Sequence, residues 1–200
     1  MSRVIPEMLS KAFAFLIALN IAAPARAYDF PLSSHVIREA YFLGTRQGGL
    51  GPDFLARYAR TIPELKQGTC MSEARIETPF LQVAFYASKA ANYSAQDAVR
   101  DFYDKPAVFR MYLNICYMVK APPPNAVTIR VLQGKKVLIP VSEERTPYAE
   151  PTAEGSYFPS NGEKIQLEFD PNKLNSTLTI QIDTPDGQHA EISFDLGALR

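Results

Sequence analysis

The chain is poor in the residues that metals and covalent catalysts use. Among its 200 residues there are two cysteines, Cys70 and Cys116, and two histidines, His35 and His189. A structural zinc site takes three or four such ligands at close spacing, and these four are scattered, so no metal site is expected. An excess of one charge is missing as well, since 21 basic residues face 21 acidic ones. Nucleic-acid binders gather basic residues on one face or run, and anionic membrane surfaces select for the same feature. Neither is an expected partner. The chain has no Gly-x-Ser-x-Gly nucleophile elbow and no calcium loop of the Asp-x-Asp-x-Asn-Gly kind. Internal repeats and low-complexity tracts are absent too. No cofactor is expected.

What the chain does have is an amino-terminal address. Arg3 and Lys11 give a basic start, Ala12 to Ala23 is apolar except for Asn20, and Ala25-Arg26-Ala27 offers the small-x-small cleavage pattern. The apolar run ends well short of the roughly 20 residues a spanning helix needs. A cleaved signal peptide over 1–27 is therefore expected, with a mature chain from Tyr28 and no stable membrane insertion after cleavage. No cysteine follows the cleavage site to take a lipid, and no Arg-Arg pair precedes the apolar run. The 21 basic and 21 acidic residues lose three and one with the signal, which leaves 18 against 20 and a net charge of −2. The expected location is periplasmic or secreted. In that oxidising space two cysteines most simply form one disulfide, Cys70 to Cys116. Asn92-Tyr-Ser94 and Asn175-Ser-Thr177 are glycosylation acceptors if the host route glycosylates them.

The patterning of the mature chain predicts one α+β domain over 28–200. Helices fall mainly in 33–62 and 94–104, and the chain is β-rich from 108 to 196. Ser33 and Ser34 are N-caps for a first helix. A second helix starts at Pro52, whose missing N–H costs nothing in a first turn, and runs through Phe-Leu-Ala-Arg-Tyr-Ala-Arg. Thr69 to Glu77 alternates like a half-buried strand, while Phe80 to Ala87 fits helix or strand. Ser94 and Asp97 start another helix. Val108 to Val119 is a strand with Phe109, Met111, Leu113, Ile115 and Tyr117 on one face and Cys116 on the other. After residue 125 short alternating segments follow, with Ile165, Leu167 and Phe169, then Leu178, Ile180 and Ile182, then Ala190, Ile192 and Phe194 facing inward. Thr184-Pro-Asp-Gly187 is a turn. The expected architecture is a mainly antiparallel β-sandwich, of immunoglobulin-like kind, with short helices packed on it.

Function is less legible. His189 lies near Asp183 and Asp186, but on the polar face beside a hairpin turn, away from the concave site that acid–base work requires. His35 sits in a first helical turn and reads as a neutral surface residue. Gly44 to Pro52 is glycine-rich but lacks the Lys-Ser/Thr of a phosphate loop, so it reads as a helix–helix connection. Asp101 with Asp104, and Glu143 with Glu144, are too close in sequence to face each other across a glycosidase cleft. Residues 142–162 hold several prolines and glycines and read as a long loop. Arg145, Tyr148, Tyr157 and Phe158 on it are the candidate binding residues, since stiffened aromatics and arginine make contacts at low entropy cost. The reading is a non-catalytic binding or structural module of the cell envelope or extracellular space, whose partner is an envelope protein or glycan. The alternative is a small extracellular hydrolase whose carboxylates assemble only in the fold.

Overall fold

The computed structural model describes residues 30–62, 72–117, 125–150 and 160–199. The expected signal segment lies outside them, and no helix among the described residues is long and apolar enough to cross a membrane. In chain order the elements are α1 (Ser34–Thr45), α2 (Pro52–Leu55), β1 (Ala59–Thr61), β2 (Glu73–Glu77), α3 (Pro79–Lys89), α4 (Ala95–Asp104) and β3 (Phe109–Tyr117). They continue with β4 (Thr128–Gln133), β5 (Lys136–Leu138), β6 (Ser142–Glu150), β7 (Ser160–Phe169), β8 (Thr177–Asp183) and β9 (His189–Asp195). The fold is α+β, with two antiparallel sheets ordered β1-β2-β3-β7-β6 and β5-β4-β8-β9.

The helices start where side chains can satisfy their free amides. The Ser33 hydroxyl accepts from the Val36 amide, and the Thr78 hydroxyl from Leu81 at 3.2 Å. Ser94 and Asp97 form a reciprocal capping box, each side chain taking the other's backbone N–H at 3.1 Å. The ambiguous stretch after residue 79 is helix because Thr78 caps it and Pro79 occupies its first turn. Phe80, Leu81, Ala84 and Ala87 then fall on its buried side. Gln82 ties α3 to the sheet, donating to the backbone oxygens of Glu77 at 3.0 Å and Val108 at 2.8 Å.

The alternation expected of the strands holds. Phe109, Met111, Leu113, Ile115 and Tyr117 are all buried, as are the inward residues of β7, β8 and β9. They belong to one core cluster that draws on both sheets. A second cluster, with Leu32, Ile37, Ala40, Phe80, Ala84 and Ala98, lies among the helices. Phe30, Leu50 and Phe54 pack against both.

Two expectations need correction. The helix from Pro52 stops at Leu55, passes through one 3₁₀ turn, and gives way to β1. Tyr58, only 1% exposed, anchors that turn in the core, and Ala59 to Thr61 then pair with Arg75 to Glu73. Sheet pairing overrides a local helical pattern there. Residues 142–150, and 160–162 at the start of β7, are strand instead of loop. Pro147 is tolerated because β6 is an edge strand, where an N–H on the open side is not needed for a ladder.

Candidate binding groove

The alternation that buries Ala74 and Ile76 turns Glu73, Arg75 and Glu77 to the outer face of the five-stranded sheet. On β3 the same rule turns out Arg110, Tyr112 and Asn114. Register aligns these with β7 and β6 in three rows across the sheet. One runs Glu77–Arg110–Glu168–Ser142, the next Arg75–Tyr112–Gln166–Glu144, and the third Glu73–Asn114–Lys164–Thr146. The second and third rows line a concavity of about 310 Å³.

In the first row Arg110 pairs with Glu168, and Glu77 is left to face Arg75 of the second row. Arg110 Nε donates to Glu168 at 2.8 Å, which holds its guanidinium charged to higher pH than usual. The second row joins charge to an aromatic ring. The Arg75 guanidinium sits 5.0 Å from the Tyr112 ring centroid, and Arg75 is also 3.6 Å from Glu77. The Tyr112 hydroxyl donates to Glu77 at 3.3 Å. Burial, followed by the Glu77 charge, pushes that phenol above its ordinary range. Glu73 and Glu144, at opposite sides of the groove, have no ion-pair partner among the described residues. Between them stand the amides of Asn114 and Gln166, the Thr146 hydroxyl and the Lys164 amine. The groove therefore offers donors, acceptors and one aromatic plane, with both signs of charge.

Of the loop residues, Arg145 lies on β6 with its side chain toward the interior, 17% exposed. Its Nη1 donates to Glu163 at 3.1 Å and to the Val127 oxygen at 2.6 Å, while Nε donates to Glu143. The Tyr148 side chain, and all of Tyr157 and Phe158, lie outside the described residues. Arg145 thus does not join the groove, and its neighbour Glu144 does.

The other candidates lie apart from the groove. His189 is 53% exposed and 2.7 Å from Asp183, whose carboxyl is held below its ordinary range by that bond first and by Arg130 as well. His35 is 81% exposed and 3.8 Å from Glu39 one turn on. Asp101 pairs with Arg100 on the surface of α4. The glycine-rich stretch is a tight connection, with Gly49 and Gly51 donating to Arg46 and Gly48. Asn92 and Asn175 are both exposed. No cluster of three His, Cys, Asp or Glu suited to a metal occurs among the described residues. Cys116 is buried, its amide donates to the Ser72 hydroxyl at 3.0 Å, and no cysteine among the described residues is free. Cys70 lies outside them.

Sequence reasoning passed over the groove because each strand supplies only two or three of its residues. The signal was present in Glu-Ala-Arg-Ile-Glu and in Lys-Ile-Gln-Leu-Glu, whose polar members share one face. Which strands stand side by side is a non-local fact. No family model, curated protein or solved structure matches the chain, so the groove is interpreted on its own chemistry.

Proposed function

We propose that the mature chain is an exported, non-catalytic binding module of the cell envelope or extracellular space, which holds a polar segment of a protein or glycan in this groove. The observation that carries the reading is the concavity of about 310 Å³ paved by Arg75, Tyr112, Asn114, Lys164 and Gln166 on a rigid sheet. Pre-positioned polar groups around one aromatic plane favour a hydrogen-bonding ligand at low ordering cost. The two sheets share a core, which supports a β-sandwich. The order β2-β3-β7-β6 beside β5-β4-β8-β9 follows the A-B-E-D and C′-C-F-G pattern of immunoglobulin-like domains. In that reading β1 is an added edge strand and α3 and α4 are an insertion between the first two strands. The usual disulfide between the B and F strands is not available, since β8 carries no cysteine.

The processed chain, immobilised and exposed to envelope extract and to a panel of surface glycans, tests this directly. Arg75→Ala/Tyr112→Ala is expected to weaken retention of the captured ligand about tenfold. Unchanged retention by a double variant with native circular dichroism would overturn the groove as the site. Amino-terminal sequencing of the processed protein should begin at Tyr28.

One observation favours the hydrolase as a second reading, because Glu73 and Glu144 line the same groove. Three strand spacings separate β2 from β6, about 14 Å between backbones. Glycosidase carboxyls stand about 5–9.5 Å apart, a separation that two glutamate side chains can reach across that gap. Binding is the first reading because the groove sets its carboxylates among amide, hydroxyl and guanidinium groups around an aromatic ring, as a hydrogen-bonding ligand needs. Glycan turnover that Glu73→Gln abolishes would reverse the order.

A further inference from the structure

Residues 135–144 read Lys-Lys-Val-Leu-Ile-Pro-Val-Ser-Glu-Glu, with two cations, an apolar stretch and then two anions. This segment is β5, the edge of the four-stranded sheet, and the crossing from it to β6, the edge of the five-stranded sheet. Three apolar side chains along it face solvent. Val137 is 52% exposed, Ile139 86% and Val141 60%, while Leu138 is buried. Single exposed apolar residues are ordinary, but a row of three along a sheet edge marks a contact surface. Lys135, Lys136 and Glu144 have no ion-pair partner among the described residues, and Glu143 pairs with Arg145 alone.

We propose that this edge is an isologous interface with a second copy of the same chain. The segment is its own complement when reversed. A two-fold axis at Ile139 sets Ile139 against Ile139 and Val137 against the partner's Val141. At each end Lys135 of one copy then stands opposite Glu143 of the other, and Lys136, opposite Ser142, lies diagonal to Glu144. Parallel pairing would oppose lysine to lysine and glutamate to glutamate, which costs energy wherever like charges stand across strands. A different protein would have to reproduce both charge pairs around an apolar centre, whereas a second copy does so by symmetry.

The backbone also limits how far pairing can extend. Pro140 has no N–H to donate, and the Val141 N–H is already given to the Glu168 oxygen at 2.7 Å. Side-chain packing and the terminal charges carry the contact, and a continuous ladder does not form. Such an edge closes on one partner and does not grow into a fibre. This interface shares Glu144 with the rim of the groove, whereas Ile139 lies outside the groove, so Ile139→Asp tests the dimer apart from ligand binding.

Sedimentation velocity on the processed chain, from micromolar to about 1 mM, is the test. The wild type is expected to move from monomer to twice that mass as concentration rises. Ile139→Asp is expected to stay monomeric throughout with unchanged circular dichroism, because a side chain 86% exposed contributes little to folding. Lys135→Glu/Lys136→Glu is expected to dimerise more weakly than wild type, and to form a mixed dimer with Glu143→Lys/Glu144→Lys. If the Arg145 contact makes that second variant unstable, Glu144→Lys alone replaces it. A wild type monomeric at every concentration, an Ile139→Asp that dimerises as wild type, or a mass above the dimer would overturn the proposal. So would the absence of mixed dimers.

Discussion

At the residue scale, Glu163 shows how this interior handles charge. It is 3% exposed and stands on the inward side of β7, in line with Ile165, Leu167 and Phe169. A carboxylate there is tolerable only if its oxygens are engaged. One oxygen takes Arg145 at 3.1 Å and the other the Val127 amide at 3.3 Å, while Arg145 also binds the Val127 carbonyl. The pair therefore clamps the start of β4 against β6 and β7. Removing one partner strands the other charge in the interior, which costs more than the pair contributes. Arg145→Met should accordingly lower stability by about 3–5 kcal/mol in urea unfolding. The double variant Arg145→Met/Glu163→Leu should lose less than the single, because no charge is left unpaired. Val127 still gives up both its N–H and its carbonyl hydrogen bond, about 1 kcal/mol each. A single variant within about 1 kcal/mol of wild type would mean that water already reaches the pair.

At the scale of elements, α1 and α3 approach so closely that no side chain fits at one point of contact. A Cβ on Gly44 would lie 2.0 Å from the Ala84 carbonyl oxygen, which is backbone and cannot swing aside. Gly44→Ala should force the helices apart and cost about 1–3 kcal/mol or more, although alanine is intrinsically the better helix former. A thermal melt decides the sign, and a melting temperature raised by the substitution would mean that the helices are not packed this way. Nothing in the sequence announced this contact, because Gly44 reads equally well as the start of the glycine-rich connection. What was legible is what local chemistry controls. The caps at Ser33 and Ser94 act within three residues, and period-two burial names the inward side chains of β3, β7, β8 and β9. β6 escaped notice for a physical reason. It is an edge strand with Pro147 in it, and its inward side carries Arg145 where an apolar residue would keep the alternation. Edge strands tolerate such residues, so their pattern resembles a loop. The groove needed the register of four strands, which no one of them encodes.

At the scale of the whole molecule, the helical cluster and the sheet core meet through shared residues. Phe30, Leu50 and Phe54 touch both, and Gln82 binds the backbone at the ends of β2 and β3. If the two clusters unfold as one unit, far-ultraviolet and near-ultraviolet circular dichroism should give the same thermal midpoint. The expected Cys70–Cys116 disulfide bears on the same unit, since the roughly 46-residue loop it closes holds β2, α3, α4 and β3. Closing such a loop is worth about 4 kcal/mol in the chain-entropy model. For a chain of this length that is a fall in melting temperature of about 8–16 °C on reduction. Intact mass after alkylation checks the bond first. The unreduced processed protein should take up no alkyl group and the reduced protein two. Two thiols alkylated without reduction would remove the disulfide. A bond that forms but whose reduction leaves the midpoint in place would mean that the Ser72–Cys116 contact and the β2–β3 ladder hold this part of the sheet without help from the sulfur.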